Sequence, residues 1–420
     1  MNKNRLEPLG VPNGDYDFGS EFEQEARQTE PRGIDRWLIR QLRKRLGESA
    51  IAIALWDEPD DAQAAATVRF QDRGALWQTL VNPGLHFGDL YSAGRIRVNG
   101  DLLAAIDEGY RYIDTLKPKG RLLASAKLIA PDLSESRRNI HHHYDLGNDF
   151  YRVWLDQDWM QYTCAYYPEA DMSIEQAQAA KMHHIGRKLR LKAGERIVEA
   201  GGGWGGLAVF LAKYYGVKVR SFNISKEQIA YSREWAQRES LGDLVEFVED
   251  DFRNITGTYD AFVSIGMLEH VGPGNYRDMG RLMSRVIKHD GRGLVHSIGR
   301  DRQGHLNEWI DKRIFPGAHP PTLREMMDLF EDSQLSVLDV ENIRLHYAET
   351  LRAWLAKYEA NAETIEKMFD DTFVRAWRLY LAGSITAFVR GKLQLFQVVF
   401  SRSGMNNIPA SRKHVYVDTP

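Results

Sequence analysis

The spacing of apolar and polar residues predicts a small mixed α/β domain near the start of the chain. Short apolar runs at 50–56 and 65–72 are typical of strands, whereas longer periodic runs at 74–81 and 101–113 are typical of helices. We expect these elements to form one domain over residues 34–115.

Two neighbouring segments lack this pattern. Residues 1–33 are polar, with scattered glycine and proline and little periodicity, and they predict a loose leader. Residues 116–142 contain a basic helical section and predict a linker. A second, larger domain is expected over residues 143–420.

In the larger domain, strand-like runs alternate with helix-like runs. The helix-like run at 225–239 begins after Ser225, a favourable N-cap residue with Gln228 three positions on. Short connections between alternating strands and helices indicate a parallel, doubly wound sheet of the Rossmann type. A long helical stretch, about 304–390, precedes a late strand at 393–402. The other strand-like runs lie at 196–200, 217–223, 245–250, 259–265 and 291–298.

Five glycines occupy the six positions 201–206, directly after the first of these strands. Because glycine costs backbone entropy on folding, such a cluster needs a close approach or a positive φ to justify it. A strand that turns into a helix can offer backbone N–H groups and a helix N-terminus to a ligand. The turn therefore predicts a nucleotide-type ligand, and the alternative is a turn required only by packing. Gly201, Gly203 and Gly206 fit the dinucleotide fingerprint, so a nicotinamide cofactor stays open here.

Charged and aromatic residues follow the strands at the edge where such sheets bind ligands. Glu199 lies beside the glycine turn and can meet an amine-bearing or cationic ligand. Asp251 can accept from an exocyclic amine, while Phe252 can cover an aromatic ring. Together with the glycine turn, these residues favour S-adenosylmethionine. The second strand ends at Asn223, without the ribose-binding acid of nicotinamide enzymes and many methyltransferases, which counts against both.

Composition narrows the class of protein. A length of 420 residues suggests two or three domains, and a single cysteine, Cys164, excludes an intrachain disulfide and fits a reducing compartment. A net charge of −3 gives no global basic field for nucleic acid. The start of the chain lacks the apolar core of a signal peptide, and no apolar run approaches the ~20 residues that cross a bilayer. We therefore expect a cytoplasmic protein.

Two segments combine basic and apolar residues, one at 36–47 and one at 117–129. Basic amphipathic helices can lie on anionic membrane surfaces, although ordinary surface helices share this pattern. The pair of segments makes peripheral association with the inner face of the membrane an expectation.

Eight motifs occur in the order found in one enzyme family, over about 260 residues. They are HYDLGNDFY (143–151), MQYTCAYY (160–167), GGGWGGLA (201–208), SIGMLEHVG (264–272), LVHSIG (294–299), IFPG (314–317), LHYAETLRAW (345–354) and FQVVFSR (396–402). With these motifs the chain resembles the cyclopropane-fatty-acyl-phospholipid synthases, a family that includes the mycolic acid cyclopropane synthases. Residues 76–102 also resemble the N-terminal domain of the phospholipid-acting members.

The resemblance implies a class I methyltransferase fold with a helical insert over an acyl tunnel, and a reaction on lipid. Family members transfer the methyl group of S-adenosylmethionine to a cis double bond and close a ring by removing a proton. Their base is usually a bound bicarbonate, held here by residues at matching positions, with Ile298 acting through its backbone. These residues are Cys164, Glu269, His296, Ile298 and Tyr347.

The resemblance also assigns cofactor-binding positions in this chain. Tyr162 and Thr163 would line the methionine end, Gly201 and Gly203 the backbone cradle beside Glu199. Two further groups follow the second and third strands, the first replacing the missing ribose acid and the second surrounding the adenine. They are Asn223, Ile224 and Gln228, then Asp251, Phe252 and Arg253.

Some positions depart from the family pattern. The family commonly has Asp at position 199 and Cys at position 202, where this chain has Glu199 and Gly202, and Thr where it has Asn223. Relatives that stop at a methyl or methylene branch therefore remain an alternative to ring formation. An inactive lipid carrier and a small-molecule methyltransferase acting on oxygen or nitrogen are the further alternatives.

The partners expected are unsaturated phospholipid acyl chains and an anionic membrane surface, with the domain at 34–115 docking on phospholipid or on a second subunit, and the resemblance leaves a homodimer open. Three consecutive histidines, 141–143, cannot readily converge on one ion, so no metal site is expected.

Overall fold

The computed structural model describes residues 30–115 and 146–416. Most of the expected leader and the linker with its basic stretch at 117–129 lie outside the described residues. The three histidines at 141–143 and the start of the first family motif, at 143–145, lie outside them as well.

Residues 33–115 form a three-stranded sheet with four helices. The elements are α1 (Gly33–Leu46), β1 (Ile51–Ala54), β2 (Ala66–Phe70), α2 (Arg73–Val81), α3 (Pro83–Ser92), β3 (Ile96–Gly100) and α4 (Leu102–Thr115). β1 pairs with β2 in parallel, and β3 pairs with β2 antiparallel. The two strands and two helices expected from apolar spacing are confirmed, whereas α3 and β3 were not predicted.

The larger region contains a seven-stranded sheet with helices packed around it. Its strands are β4 (Arg196–Ala200), β5 (Lys218–Asn223), β6 (Val245–Glu249), β7 (Tyr259–Ile265), β8 (Ile287–Gly299), β9 (Leu335–Asn342) and β10 (Gln394–Arg402). Its α-helices are α5 (Asn148–Trp154), α6 (Ile174–Lys188), α7 (Gly206–Tyr215), α8 (Lys226–Arg238), α9 (Tyr276–Val286), α10 (Leu323–Met326), α11 (Arg344–Ala360), α12 (Ala362–Met368) and α13 (Asp371–Val389).

The strand order β6–β5–β4–β7–β8–β10–β9 explains where a ligand can bind. The first five strands in this order are parallel, and the order reverses beside β4, so the glycine turn lies at a topological switch point. β10 runs antiparallel to both β8 and β9. The expected Rossmann-like α/β class is confirmed, with a sheet that is mixed rather than wholly parallel.

The expectation of a long helical stretch at about 304–390 is confirmed only from α11 onwards and is wrong before it. This segment contains the strand β9 and, before it, only short helical turns such as the one at 310–314. Long helices begin only at α11. β9 was missed because it is an edge strand with partly exposed side chains, so its apolar residues do not form a buried run.

The N-terminal unit packs on the helices of the larger region. Arg313 makes a two-point ion pair with the buried Asp89 of α3, at 3.0 and 3.2 Å. Arg390, at the end of α13, makes a similar pair with Asp107 of α4, at 2.5 and 2.7 Å. The ring of Trp309 occupies the space beside Gly88 that a side chain would fill. Helix α13 therefore packs against α11 on one side and against α3 and α4 of the N-terminal unit on the other.

Candidate active site

The glycine turn joins β4 to α7 and is packed closely against the protein. A Cβ on Gly202 would lie 1.9 Å from Oγ of Ser221, and one on Gly206 would lie 2.1 Å from the carbonyl oxygen of Trp159. Either side chain would force its neighbour to move. Gly203, with a φ of +53°, has no atom of the described residues within 4 Å of this position. Packing therefore explains part of the cluster, and Gly203 leaves open space.

A cleft open to solvent lies at the carboxyl ends of the parallel strands. It contains six of the residues predicted to bind the cofactor and several that were not predicted, including Met267, His270 and Phe222. The predicted lining residues are Gly201, Asn223, Ile224, Asp251, Phe252 and Arg253. The sheet thus brings together residues spread over more than 50 positions of the sequence.

Asn223 organises the end of β5. Its Nδ2 donates to the carbonyl oxygen of Gly203 at 3.0 Å and to Oε1 of Gln228 at 2.8 Å, and its Oδ1 accepts from the Ser225 N–H. Ser225 caps α8 as predicted, but Gln228 bonds Asn223 instead of closing a capping box. Nε2 of Gln228 is buried without a partner among the described residues, so a donor is left for a ligand.

Asp251, Phe252 and Arg253 form a short turn after β6. The Asp251 carboxylate accepts from the Arg253 N–H at 2.9 Å and pairs with its guanidinium at 3.3 Å. The guanidinium lies 5.2 Å from the centre of the Phe252 ring. Arg253 is thus directed by its neighbours, and the ring is held at the cleft.

Thr163 is held from below by a buried lysine that the sequence analysis did not select. Lys181 of α6 donates to Oγ1 of Thr163 at 3.0 Å and to Oε1 of Gln161 at 2.5 Å. Burial lowers the pKa of Lys181 to about 8, although nearby acids oppose the shift. Tyr162 turns the other way, and its hydroxyl meets that of Tyr380 at 2.8 Å.

Glu199 lies at the end of β4 and is buried. Ser221 donates to its Oε2 at 2.6 Å, and burial raises the pKa of Glu199 to about 7. The carboxyl group therefore sits directly beneath the glycine turn, next to the space that Gly202 leaves. It does not line the cleft described above.

Glu269 follows β7 in a single helical turn at 268–270. Its Oε1 accepts the backbone N–H of Ile298 at 2.6 Å, whereas its Oε2 is buried without a partner among the described residues. Burial raises the pKa of Glu269 to about 7. The N–H of Ile298, predicted to face an anion, is therefore already engaged, while one carboxylate oxygen remains available.

The segment that carries Cys164 is tied to α11, which carries Tyr347. The Ala165 N–H donates to Oγ1 of Thr350, and the Tyr167 N–H donates to Nδ1 of His346, both at 3.0 Å. Cys164 and Tyr347 are buried in one hydrophobic cluster, against which Ile298 packs.

Cys164 and His296 are both uncharged in this setting. Complete burial raises the pKa of the Cys164 thiol well above its usual range, so a thiolate nucleophile is disfavoured. Burial, aided by the charges of Lys181 and Lys188, holds the pKa of His296 well below its usual range. Cys164 and His296 are thus neutral buried groups, and the thiol of Cys164 donates to the carbonyl oxygen of Ala165 at 3.0 Å.

Aromatic rings form the wall beside Tyr162. Trp154 and Trp354 lie 5.3 Å from its ring centre, and Tyr151 lies 5.5 Å away. The rings come from α5, α11 and the intervening segment, so the wall exists only in the folded chain.

Sequence reasoning missed Met267, His270 and Lys181. Met267 and His270 flank Glu269 in the motif SIGMLEHVG, and that proximity was an available signal. No such signal existed in the sequence for Lys181, because a lysine in an amphipathic helix is usually exposed. Within 30–115 and 146–416, no group of three or more His, Cys, Asp or Glu side chains is arranged to hold a metal ion.

The fold and the cleft at its switch point define a class I S-adenosylmethionine-dependent methyltransferase. Residues 132–398 match the family model of mycolic acid cyclopropane synthetase. The match covers more than half of the chain, and the protein belongs to this family.

Relatives with similar sequences include two bacterial proteins. A probable fatty acid methyltransferase of Pseudomonas putida is 35% identical over 354 residues, covering 80% of this chain and 88% of the relative. The cyclopropane-fatty-acyl-phospholipid synthase of Escherichia coli K12 is 38% identical over 271 residues, covering 64% of this chain and 69% of the relative. The first alignment is too long to lie within the larger region alone.

Solved structures agree with the family assignment. The cyclopropane synthase MmaA2 of Mycobacterium tuberculosis has a TM-score of 0.61 and 25% identity, covering 65% of this chain and all of that one. The mycolic acid cyclopropane synthase CmaA1, complexed with SAH and CTAB, has a TM-score of 0.60 and 26% identity, covering 63% of this chain and 98% of that one. In the described part of this chain, no helix is both long and apolar enough to cross a membrane.

Proposed function

We propose that this enzyme adds one carbon from S-adenosylmethionine to the cis double bond of an unsaturated phospholipid acyl chain and closes a cyclopropane ring. The single observation that carries the proposal is Oε2 of Glu269, a buried carboxylate oxygen without a partner among the described residues. A buried polar atom left unpaired is costly, so such an atom in a family member's catalytic motif is expected to meet a ligand.

The aromatic wall supports a reaction through a cation. The alkene takes the methyl group as the carbon–sulfur bond breaks, and the chain is left with a carbocation. Loss of a proton from the new methyl group then closes the ring. Water would trap such a cation as an alcohol, so an apolar enclosure is required. The faces of Tyr162, Trp354 and Tyr347 can stabilise it by cation–π attraction.

The residues present fit a small anion. Glu269 can accept a hydrogen bond through Oε2, while His296 and Tyr347 can donate. A bicarbonate ion held by Glu269, His296 and Tyr347, beside Cys164, would supply the base for the proton. The backbone N–H of Ile298, a further predicted holder of this anion, instead orients the Glu269 carboxylate. The neutral state of Cys164 favours a packing or weak donor role over nucleophilic attack.

The cleft and the residues Gln228 and Thr163 outside its lining would hold the co-substrate in three parts. Asp251 and Phe252 would hold the adenine, Asn223 and Gln228 the ribose, and Thr163 the methionine end. The buried, unpartnered Nε2 of Gln228 is the observation that supports a polar ligand here.

The protein is proposed to work at the inner face of the cytoplasmic membrane without spanning it. Helix α1 exposes Trp37, and Arg40 and Lys44 follow at helical spacing on the same face. An indole with flanking cations suits an anionic lipid surface. Co-sedimentation with anionic and neutral vesicles tests this part, and equal binding to both would contradict it. A homodimer is left to sedimentation analysis.

A second outcome at the same site is a methyl or methylene branch. It is favoured by the name of the Pseudomonas putida relative, a probable fatty acid methyltransferase, whose similarity covers 80% of this chain. Both outcomes use the same first step and differ in how the cation is quenched.

Mass spectrometry with a cofactor carrying a fully deuterated methyl group separates these outcomes. The enzyme is incubated with monounsaturated phospholipid vesicles, with and without bicarbonate, and the acyl products are analysed. A saturated product that keeps two deuterium atoms indicates the ring. Three deuterium atoms indicate a methyl branch, and two with a remaining double bond indicate a methylene branch.

The test variant replaces Glu269 by glutamine. The matched control makes the same substitution at Glu349 of α11, which is exposed. Loss of product in the first variant alone supports the site. No added carbon with any lipid, while the cofactor still binds, would favour an inactive lipid carrier, and methylation of a small molecule on oxygen or nitrogen would overturn the proposal.

A further inference from the structure

Three polar side chains form a row across the last three strands of the large sheet. Antiparallel pairing sets Gln397 of β10 directly opposite His296 of β8 on one side and Glu341 of β9 on the other. Directly opposed residues project from the same face of a sheet and contact one another. The row therefore leads from the candidate catalytic histidine towards the edge of the sheet.

Lys188, at the end of α6, closes the row from above. Its Nζ donates to Oε1 of Gln397 at 2.7 Å and to Oε2 of Glu341 at 2.5 Å. His184, one turn earlier, meets the same Glu341 oxygen at 2.7 Å. Although burial opposes it, the hydrogen bond from His184 and the charge of Lys188 lower the pKa of Glu341 to about 2, so Lys188 faces a carboxylate.

This lysine determines which way the Gln397 amide points. An ammonium group only donates, so the amide must present its oxygen to Lys188. A flipped amide would place its NH₂ group against three N–H donors in a fully buried position. Nε2 of Gln397 is consequently the atom that meets Nδ1 of His296, at 3.2 Å.

The orientation of the amide in turn sets the position of a proton on the imidazole. An amide NH₂ donates, so Nδ1 of His296 must accept and carries no proton. In a neutral imidazole the proton then resides on Nε2, the opposite ring nitrogen. A proton on both nitrogens would set two donors against each other at Nδ1.

We propose that Lys188 and Gln397 are positioning residues that hold His296 as the neutral Nε2–H tautomer, so that its free nitrogen always donates. As a part of the proposed function, on which this role rests, that N–H is the donor to the anion that removes the proton. The assignment of the tautomer itself depends only on the hydrogen bonds within the row.

The charged groups around His296 agree with a neutral ring. Lys181 and Lys188 face it from α6, Glu341 lies beyond Gln397, and Glu269 is bonded to Ile298 two residues along β8. The two lysines are the charges that act on the imidazole most directly, and both oppose a second proton.

Nitrogen NMR of the intact protein, labelled with ¹⁵N histidine, tests the tautomer without turnover. The His296 signals are identified by their absence in His296→Gln. We expect a protonated Nε2 and an unprotonated Nδ1 throughout the range from about pH 6 to about pH 9. A proton on Nδ1, or an imidazolium in this range, would overturn the inference.

Variants at the two positioning residues test the role in catalysis. Gln397→Glu replaces the donor by an acceptor, so His296 must carry a proton on Nδ1. Its Nε2–H then persists only in the imidazolium form, and product formation should fall as pH rises, along a limb that the wild type lacks. In Gln397→Met the new side chain has a similar length but makes no hydrogen bond. Product formation should fall roughly tenfold, with no new limb in its pH profile.

Conservative replacement at Lys188 provides the rescue. Lys188→Arg keeps a donor-only cation and should retain the Nε2–H signal, whereas Lys188→Met should give a mixture of tautomers. A Gln397→Glu profile parallel to that of the wild type would overturn the positioning role. If the wild-type spectrum shows the expected tautomer but no carbon is added to any lipid, the proposed function fails and the tautomer assignment stands.

Discussion

Glu269 and Ile298 are joined by a hydrogen bond of 2.6 Å, in which the backbone N–H of the strand residue donates to one oxygen of the carboxylate. The bond fixes the plane of the carboxylate and leaves its other oxygen buried and unpaired among the described residues. The pair therefore presents one directed acceptor in a buried position.

Replacing Glu269 by glutamine should abolish most of the product formation. Burial raises the pKa of Glu269 to about 7, so the wild-type rate should rise with pH through about 7 as the acceptor ionises. Glutamine cannot ionise, and the rate should drop by ~10²–10⁴ without this rise. The rate of product formation is measured for both proteins at several pH values below and above 7. A variant that keeps the rise would assign the titration to another group.

Cofactor affinity should depend on Lys181, because this lysine holds Thr163 and Gln161. Burial lowers its pKa to about 8, so it is charged below that value and loses its charge as pH increases. Titration calorimetry with S-adenosylmethionine should show weaker binding above pH 8 in the wild type. Lys181→Met should bind roughly tenfold more weakly at neutral pH, with no further loss at alkaline pH.

Lys213→Met is the matched control for that measurement, since Lys213 is partly exposed and pairs with Glu239 on the surface. Equal effects of the two substitutions would refute a role for Lys181 in the cofactor site.

Substitutions at Gly202, Glu199 and Ser221 should have coupled effects on the free energy of unfolding. A Cβ at position 202 would lie 1.9 Å from Oγ of Ser221 and 3.1 Å from Oε2 of Glu199, so Gly202→Cys alone should destabilise the protein by about 1–3 kcal/mol. Shortening both neighbours, with Glu199→Asp and Ser221→Gly, should recover most of this loss. Urea unfolding of the single and combined variants measures the coupling, expected to exceed about 1 kcal/mol.

Gly242→Cys controls for the cysteine itself, because no described atom beyond the adjacent residues lies within 4 Å of a Cβ at that position. Additive effects at positions 199, 202 and 221 would show that the three sites are independent.

The free energy of unfolding of the cofactor-free protein should depend on pH through the ionisation of Glu199. Its folded pKa of about 7 is above the ordinary value of 4.5, so the stabilisation is complete below pH 4.5 and is lost as pH rises through 7. Glu199→Gln keeps an acceptor for Ser221 and removes the cost of a buried charge. The variant should gain at most about 3 kcal/mol relative to the wild type at pH 8.5, and little at pH 5. The unfolding midpoints of the wild type and the variant are compared at both pH values. An equal difference between the two proteins at pH 5 and at pH 8.5 would contradict this origin.

Features set by local sequence could be predicted. Apolar runs located β4 to β8 to within a few residues, and Ser225 was correctly expected to cap α8. The glycine turn was correctly placed between a strand and a helix, because its position after a buried apolar run is a local property.

Features set by strand pairing or by burial of charge could not. β9 is an edge strand with a mixed pattern, and its pairing with β10 is visible only in three dimensions. Lys181 and Lys188 have the sequence context of exposed helix residues, yet both are buried. The contact of Gln397 with His296 depends on the register of strands about 100 positions apart in the sequence.

The place of β10 in the sheet also has a consequence for biosynthesis. This strand is synthesised after the other six, yet it lies between β8 and β9 rather than at an edge. During translation, β8 and β9 must therefore wait with unpaired edges until residues 394–402 emerge. Exposed strand edges invite pairing with other chains, so the nascent protein should depend on chaperones or dilution at this late stage more than its compact final form suggests.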